Sequence, residues 1–242
     1  MLQKYKQISS ATKISLVLPC YNPPENWAEV VVSSVASIEA KGLFSIDLIV
    51  VNDGSTHLVT PESLNHLTTK IPNINVIDYE VNRGKGYALR KGVAEAQQKL
   101  IIYTDIDFPY TEESFMTVYE GLKDGNDVVP GHRGATYYAN TPFIRKLISK
   151  SLRWTLKTFL ILPTDDSQCG IKGFNQVGAK VFLDTQIDRF LFDLEFIKLA
   201  SKRKVKFKKA EVTLKPNVVF SKVNFKILAR ESLNFFKVLF RK

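Results

Sequence analysis

The chain has 242 residues, 45% hydrophobic and 24% charged, a composition that is ordinary for a globular protein with one α/β domain. It contains no run of 18 or more apolar residues, which argues against a membrane-spanning helix, and residues 1–13 lack the apolar core of a signal peptide. Only two cysteines occur, Cys20 and Cys169, which excludes a disulfide framework and favours a cytoplasmic location.

The net charge of +10 is distributed unevenly along the chain. Residues 1–139 carry a net charge of −4, whereas residues 140–242 carry +14. This asymmetry predicts that the second half faces an anionic partner, which could be nucleic acid, a phosphorylated acceptor or a membrane surface. The alternative is a basic surface that only keeps the protein soluble.

The first part of the chain alternates between short apolar runs and amphipathic segments, a pattern typical of strands followed by helices. The predicted strands are residues 13–19, 47–52, 75–79, 99–104 and 127–129. The predicted helices are residues 26–41, 61–70 and 84–98, with a further helix that begins after its cap, Thr111. The order predicts an α/β fold with a mostly parallel sheet flanked by helices. Ligands of such sheets bind beyond the carboxyl ends of the strands.

The second half is more basic and follows a different pattern. Residues 142–162 and 222–242 each combine an apolar and a basic stripe, which predicts amphipathic helices, and residues 165–174 are predicted to form a loop with two glycines. Such helices can lie in the interface of an anionic membrane, and the six cations of residues 201–209 would add to that attraction. The alternative is that both apolar stripes pack on the domain. A nucleic-acid partner is not predicted, because no nucleic-acid-binding signature accompanies the cations.

Three aspartates follow predicted strands. Asp105 and Asp107 come directly after residues 99–104, and alternate positions leaving a strand point the same way. Because two carboxylates so close repel each other without a cation, the pair predicts a site for Mg²⁺ or Mn²⁺ that bridges to substrate phosphates. Asp53 follows residues 47–52 and could accept hydrogen bonds from a ribose or a base. The alternatives are solvated loop acids and an ordinary turn.

Two further segments are candidate phosphate sites. Arg83, Gly84 and Lys85 join a strand to a helix, where small residues and cations suit an anion, although the segment is neither a P-loop nor a dinucleotide fingerprint. Arg133 follows residues 127–129 and could grip a phosphate with its forked guanidinium, with an ordinary surface arginine as the alternative.

Together these residues resemble glycosyltransferase family 2, and within it the branch of dolichyl-phosphate glucosyl- and mannosyltransferases. The general family motifs are residues 16–22 (LVLPCYN), 52–56 (NDGST) and 105–107 (DID). The branch is indicated by residues 82–86 (NRGKG), 131–133 (GHR), 166–174 (DSQCGIKGF) and 190–195 (FLFDLE). The resemblance covers residues 13–215.

The resemblance implies a GT-A fold in residues 13–221, with an N-terminal extension at residues 1–12 and an amphipathic helix at residues 222–242. It also implies a nucleoside-diphosphate sugar donor, Mg²⁺ or Mn²⁺, and inversion at the anomeric carbon. The residues implied to bind the donor nucleotide or its phosphates are Pro19, Tyr21, Asn22, Asp53, Arg83, Gly84 and Lys85. The residues implied to act around the sugar, the metal and the phosphates are Asp105, Asp107, Arg133, Gln168 and Lys172.

Three positions bear on the identity of the sugar. The acid that commonly follows Tyr-Asn in the family is Pro23 here, and Pro109 stands where mannosyl relatives often carry glutamine. The turn at residues 168–170 (QCG) is closer to glucosyl relatives. A donor similar to UDP-glucose is therefore favoured, with GDP-mannose as the alternative.

The resemblance also implies an acceptor, a polyprenyl or dolichyl phosphate, used at the cytoplasmic face of the membrane by a peripherally attached enzyme. A phosphate monoester is already an anion and needs no strong base. The rival hypothesis is transfer to a glycan or lipid hydroxyl, which requires a carboxylate base such as Asp193 or Glu195. A third hypothesis is a non-catalytic sugar-nucleotide-binding or membrane scaffold protein. No oligomeric state is predicted.

Overall fold

The structure, a computed structural model, describes residues 12–42, 44–134, 162–216 and 218. Within this part of the chain, seven strands form one sheet and six helices flank it. The strands are β1 (Lys13–Cys20), β2 (Ser45–Asp53), β3 (Ile74–Tyr79), β4 (Leu100–Tyr103), β5 (Val128–Arg133), β6 (Lys172–Asn175) and β7 (Ala210–Val212). The helices are α1 (Trp27–Gly42), α2 (Pro61–Lys70), α3 (Lys85–Glu95), α4 (Glu112–Lys123), α5 (Gln176–Leu183) and α6 (Phe192–Lys202).

The strand order across the sheet is β3-β2-β1-β4-β6-β5-β7. Strand β6 runs antiparallel to β4 and β5, and the other described pairs are parallel. The predicted mostly parallel sheet is confirmed. Because β1, β2, β4 and β5 run the same way, their carboxyl ends meet at one edge of the sheet, which brings Cys20, Asp53, Tyr103 and Arg133 to the same side of the molecule.

The two faces of the sheet carry separate apolar cores, since successive side chains of a strand point to opposite faces. Leu16 and Leu18 pack with Trp27 of α1 and Phe115 of α4, whereas Val17 belongs to the core beneath α3, α5 and α6. The second core is rich in aromatic side chains. Its ring contacts join Tyr103, Phe174, Phe182, Phe192 and Phe196. The central strands β1, β4 and β6 are therefore fixed in register by burial on both sides.

The predicted cap of the fourth helix is confirmed. The hydroxyl of Thr111 accepts a hydrogen bond from the backbone N–H of Ser114 at 3.3 Å, and Glu112 and Glu113 occupy the first turn of α4. Side-chain caps satisfy backbone N–H groups that a helix leaves unpaired, and acids in the first turn complement the helix dipole. This cap fixes where the chain leaves the Asp105–Asp107 loop.

The structure differs from the predictions in the second half of the sheet. Strand β5 continues from Val128 to Arg133 rather than ending at Val129, because it pairs with β6 on one side and β7 on the other. The predicted loop at residues 165–174 ends as strand β6. The predicted helices at residues 142–162 and 222–242 lie outside the described residues except Leu162. In the described ranges, no helix has the length and hydropathy needed to cross a membrane.

Candidate active site

A cleft of about 570 Å³ opens at the carboxyl ends of the parallel strands. Ten of the predicted site residues line it, namely Pro19, Tyr21, Asn22, Asp53, Gly84, Lys85, Asp105, Asp107, Arg133 and Gln168. Arg83, Lys172 and Asp193 are not among its lining residues. The topology therefore brings together side chains that are far apart in the sequence, including all three predicted aspartates.

Asp53 holds the turn between β3 and α3. Its buried carboxylate accepts hydrogen bonds from the backbone N–H groups of Arg83 (2.7 Å) and Gly84 (2.8 Å) and from the side-chain amide of Asn82 (2.8 Å). Both carboxylate oxygens thus have partners within the protein. Contact between Asp53 and a base stays a prediction, while the structure gives this residue a clear role in shaping the wall of the cleft.

The turn at the start of α3 does not present its backbone N–H groups as an anion cradle. Those of Gly86 and Tyr87 donate to the carbonyl oxygen of Asp188, at 2.7 and 3.2 Å. Together with the two N–H groups bound by Asp53, four backbone N–H groups of this turn already have acceptors within the protein. The guanidinium of Arg83 lies 5.0 Å from the centre of the Tyr87 ring, and this residue does not line the cleft.

Lys85 and the two aspartates after β4 form the charged floor of the cleft. The Lys85 ammonium group forms a salt bridge with Asp105. Burial lowers the pKa of Lys85, but the carboxylates of Asp105 and Asp193 more than offset this, so the pKa lies above its ordinary value. Burial and the nearby charge of Asp105 both raise the pKa of Asp107. An added cation would stabilise the ionised form of Asp107.

The Asp105–Asp107 pair fits a divalent cation that is shared with a substrate. The described residues contain no cluster of three or more His, Cys, Asp or Glu side chains that could hold a metal by themselves. Mg²⁺ is commonly bound by one or two carboxylates, with waters and substrate phosphates completing the shell. The two carboxylates lie on a cleft wide enough for such a substrate. Burial and Asp105 raise the pKa of Asp107 although Lys85 and Lys215 act in the opposite direction, so a bound cation would favour its ionised form.

Gly170 allows Asp105 to approach the loop before β6. A Cβ placed on Gly170 would lie 2.4 Å from Oδ2 of Asp105, closer than real side-chain contacts. The backbone N–H of Gly170 donates to the hydroxyl of Tyr110 at 2.9 Å, and both residues line the cleft. The glycine loop noted in the sequence thus leaves room for Asp105, the first aspartate of the predicted metal pair.

Arg133 has an acid partner inside the protein. Its Nε and one terminal nitrogen donate to the two oxygens of Asp166 at 2.9 and 2.6 Å, and its backbone N–H donates to Asp166 at 2.8 Å. Arg133 lines the cleft, with 14% of its side chain exposed. The fork that the sequence suggested for a phosphate therefore grips Asp166, and phosphate binding by Arg133 stays a prediction.

Lys172 and Asp193 lie beneath the cleft rather than in it, which differs from the expectation that Lys172 faces a phosphate. The ammonium group of Lys172 is fully buried and donates to Asp193 and to the carbonyl oxygen of Cys169, at 2.6 Å each. The hydroxyl of Tyr103 donates to the same Asp193 oxygen. Lys172 pairs with Tyr103 across β4 and β6, so both side chains point to the same face of the sheet.

Glu195, the other candidate base, also has a structural role. Its buried Oε2 accepts hydrogen bonds from the backbone N–H groups of Gln186 and Ile187, at 2.8 Å each. These bonds hold the loop between α5 and α6. Neither Asp193 nor Glu195 lines the cleft.

The opposite side of the cleft is suited to a flat ring. The side chain of Tyr21 is 50% exposed and lines the cleft. The next residue, Asn22, has a positive φ of 46° and is held by two hydrogen bonds, from its N–H to the Ser55 hydroxyl (3.0 Å) and from the Thr56 N–H to its side-chain oxygen (2.8 Å). These contacts join the turn after β1 to the turn after β2. The arrangement holds the backbone next to Tyr21, whose exposed ring lines the cleft.

Sequence reasoning missed several lining residues, notably Arg189 and Phe190. The segment from Phe190 was noticed only as part of the family resemblance. Gln168 was predicted, and the structure adds that its buried side-chain nitrogen has no hydrogen-bond partner among the described residues. An unpartnered buried donor costs free energy until an acceptor binds it.

Lys206 and Lys208, in the basic cluster at residues 201–209, lie at the other end of strand β5, whereas Lys209 is 4.0 Å from Asp165, the partner of His132. The carbonyl oxygen of Lys206 accepts hydrogen bonds from Asp127 and Val128 at the start of β5, and Lys208 forms a salt bridge with Asp124. Arg133, at the end of β5, is the residue that lines the cleft. A six-residue strand is roughly 17 Å long. A flat membrane that touched Lys206 and Lys208 would therefore lie away from the cleft.

Comparison with known proteins finds relatives by sequence and solved structures with a similar fold. It is 25% identical over 212 residues to the dolichyl-phosphate β-glucosyltransferase of Drosophila melanogaster, an alignment covering 81% of this chain and 65% of that protein. It is 23% identical over 220 residues to the Saccharomyces cerevisiae enzyme of the same name, covering 83% and 66%. The chain therefore spans slightly less than two thirds of the length of these relatives.

Solved structures share the fold. Glucosyl-3-phosphoglycerate synthase from Mycobacterium tuberculosis, solved with Mg²⁺ and UDP, superposes with a TM-score of 0.61 at 17% identity, covering 94% of this chain and 78% of that one. Mannosyl-3-phosphoglycerate synthase from Rubrobacter xylanophilus gives 0.66 at 14% identity, covering 95% and 73%. The predicted GT-A fold is confirmed.

Residues 15–187 match the model of glycosyl transferase family 2. The chain belongs to this family.

Proposed function

We propose that the protein is an inverting glycosyltransferase that moves a hexose from a nucleoside-diphosphate sugar to a polyprenyl or dolichyl phosphate. UDP-glucose is the favoured donor and GDP-mannose the alternative. Family membership and the names of the relatives from D. melanogaster and S. cerevisiae support the reaction class and the lipid phosphate. Glucose is supported by the same names and by residues 168–170, the turn that is closer to glucosyl relatives.

One observation favours a phosphate over a hydroxyl acceptor. The two carboxylates that the sequence suggested as bases are bound by other groups of the protein. Asp193 is paired with Lys172 and Tyr103, and Glu195 holds the loop between α5 and α6. A hydroxyl acceptor must lose a proton as it attacks, whereas a phosphate monoester is already an anion near neutral pH. The reaction then needs positioning and charge neutralisation more than it needs a base.

In this proposal the donor enters with its base against Tyr21 and its diphosphate over the Asp105–Asp107 pair. The cofactor would be Mg²⁺ or Mn²⁺ held by these two carboxylates, and when bound it would neutralise charge that develops on the leaving diphosphate. Structural neighbours were solved with UDP and Mg²⁺ or with GDP-mannose and Mn²⁺, which supports both the nucleotide and the ion. Lys85 keeps Asp105 in place through its salt bridge.

The sugar then lies between the charged floor and the glycine loop. The unpartnered side-chain nitrogen of Gln168 would donate to a sugar hydroxyl, which fixes the orientation of the anomeric carbon. The acceptor phosphate attacks that carbon from the side opposite the nucleoside diphosphate. A new C–O bond forms as the old one breaks, and the configuration inverts. No proton has to be removed from the acceptor.

The proposed location is the cytoplasmic face of a membrane, with peripheral attachment. The basic amphipathic segments at residues 142–162 and 222–242 would supply the contact. A lipid phosphate has to reach the cleft, so the attached surface must lie near the rim of the cleft. The cations at Lys206 and Lys208, at the other end of β5, do not meet that requirement.

The experiment that tests this function compares the wild-type protein with Asp107→Ala. A thermal-shift screen of UDP- and GDP-sugars with Mg²⁺ or Mn²⁺ identifies the donor, since a ligand that binds only the folded state raises the melting temperature. Turnover of that donor onto a short polyprenyl phosphate should fall on the order of 10³-fold in the variant, because one ligand of the leaving-group cation is lost. Near-normal turnover by Asp107→Ala would refute the assigned role.

A further inference from the structure

Most cations of the cleft are already neutralised by acids of the protein. Lys85 forms a salt bridge with Asp105, and Arg133 is bound by both oxygens of Asp166. A substrate phosphate competing for either cation would have to displace a carboxylate or share the cation with it. The exception among the described residues is Arg189, which lines the cleft and has neither a salt bridge nor a side-chain hydrogen bond there.

Arg189 is presented by a loop that is held on several sides. Oε2 of Glu195 binds the N–H groups of Gln186 and Ile187, and Arg90 donates to the carbonyl oxygen of Ile187 at 2.9 Å. The carbonyl oxygen of Asp188 accepts the first N–H groups of α3. The carbonyl oxygen of Arg189 itself accepts the Phe192 N–H at 3.1 Å, so the backbone that presents Arg189 is held before any ligand binds and little ordering is needed.

The stem of Arg189 packs against the turn that carries Lys85. A Cβ placed on Gly84 would lie 3.0 Å from Cγ of Arg189 and 2.5 Å from the carbonyl oxygen of Asp188. The glycine thus makes room for the loop to close over the start of α3. This contact places the arginine on the same wall of the cleft as the Lys85–Asp105 salt bridge.

The neighbouring residue adds an apolar surface. Phe190 lines the cleft and is 48% exposed, which is unusual for so large an apolar side chain. A guanidinium and an exposed ring, side by side on a fixed loop, match a ligand that carries a phosphate joined to a hydrocarbon.

We propose that Arg189 is a substrate-binding residue that grips a phosphate in this cleft, and that Phe190 packs against the hydrocarbon of the same ligand. The inference rests on the proposed function and makes it more specific. Two phosphates are available in that reaction, the donor diphosphate and the acceptor phosphomonoester. A guanidinium group binds either phosphate in a forked geometry that an ammonium group cannot reproduce. Phe190 favours the acceptor, because only the acceptor phosphate is joined to a hydrocarbon chain.

The test compares Arg189→Gln and Arg189→Lys with the wild-type protein. One arm measures the affinity for UDP with Mg²⁺ by calorimetry, which needs no turnover. The other arm measures KM and kcat for a short polyprenyl phosphate at saturating donor. Lys180→Gln is the matched control, because it removes one exposed positive charge from α5 without touching the cleft. Melting temperatures of all four proteins report whether each is folded.

A loss of about 10- to 100-fold in Arg189→Gln, only partly restored in Arg189→Lys, is expected for one charge-assisted contact. A rise in acceptor KM alone identifies the acceptor phosphate, and weaker UDP binding identifies the donor diphosphate. If both constants stay within twofold of the control while the wild type is active, the inference is overturned and the proposed function stands.

If the wild-type protein binds UDP but transfers no sugar, the proposed function is wrong. The role of Arg189 is then tested by the UDP affinities alone. Weaker UDP binding by Arg189→Gln would then support the inference, and unchanged binding would overturn it. A wild type that binds neither UDP nor GDP and transfers nothing would overturn both.

Discussion

At the scale of single residues, the buried pair of Lys172 and Asp193 shows how a residue that sequence reasoning assigned to catalysis can serve the fold. Both side chains are buried between β6 and α6, where the Tyr103 hydroxyl completes the network. Burial and the Asp193 charge raise the pKa of Tyr103, so this hydroxyl stays protonated and keeps donating. Removing one member of such a network leaves an uncompensated group in the core.

Asp193→Asn is therefore expected to destabilise the protein by about 3–5 kcal/mol, since breaking a buried ion pair from one side leaves the ammonium group without its counter-charge. Denaturant unfolding measures this directly. The double variant Lys172→Met/Asp193→Asn removes both charges and should recover part of the loss. If Asp193→Asn unfolds like the wild type but has lost its turnover, Asp193 acts on the substrate, and the hydroxyl-acceptor hypothesis returns.

Cys20 gives a pH-dependent prediction. Its thiol is fully buried beside the cleft, and burial raises its pKa from 9.0 to about 12, with a hydrogen bond to Ser55 acting in the opposite direction. At pH 8 only on the order of 10⁻⁴ of this thiol is ionised, against roughly a tenth of a cysteine with a pKa of 9.0, and the thiolate is the reactive form.

Labelling of the native protein with a disulfide reagent at pH 8 should thus be very slow, and it should accelerate as the pH rises towards 12 for as long as the fold survives. Unfolding in guanidinium should expose both cysteines, Cys20 and Cys169, to rapid labelling. Rapid modification of Cys20 in the folded state at pH 8, located by peptide mapping, would contradict this prediction.

At the scale of elements, a comparison of two glycines distinguishes the cost of an unfavourable backbone conformation from the cost of a steric clash. Gly84 (φ 110°) and Gly125 (φ 83°) both adopt a conformation that side chains disfavour. A Cβ on Gly84 would meet the carbonyl oxygen of Asp188 at 2.5 Å, whereas a Cβ on Gly125 would have nothing within 4 Å.

Gly125→Ala is expected to cost about 1–2 kcal/mol from the left-handed backbone alone and to leave turnover intact. Gly84→Ala should cost more and should also reduce turnover, because the clash pushes the loop before α6 away from the start of α3. Unfolding curves and steady-state assays of the two variants check both statements. If Gly84→Ala and Gly125→Ala lose equal amounts of stability, the loop before α6 moves to avoid the clash without a free-energy cost.

The sequence predicted the elements whose patterns are local. The apolar runs of β1, β2 and β4 and the cap at Thr111 depend on neighbours in the chain, and the aspartates that follow two of those strands do line the cleft. The orientation of Lys172 depends on β6 entering the sheet antiparallel beside β4. The partner of Arg133 lies 33 residues further along the chain. Nothing local in the sequence records such distant pairings.

At the scale of the whole molecule, the cleft lies at the end of the sheet where the parallel strands finish, and the opposite end of the strands lies away from it. The parallel strands bring the aspartates, Lys85 and Tyr21 to one edge. The charge asymmetry of the sequence predicted an anionic partner for the second half, yet Lys206 lies at the opposite edge. Charge counting along a chain could not reveal this, because neighbouring positions in the sequence lie on different ends of the fold.

The measurement that tests the central claim most directly is the acceptor requirement of the purified protein. The labelled sugar nucleotide and Mg²⁺ are supplied with a short polyprenyl phosphate or with the polyprenol of the same length, which lacks the phosphate. We expect sugar transfer to the phosphate and none to the alcohol, since Asp193 and Glu195, the two carboxylates considered as bases, are bound within the protein and do not line the cleft. Transfer to the alcohol at a comparable rate would contradict it.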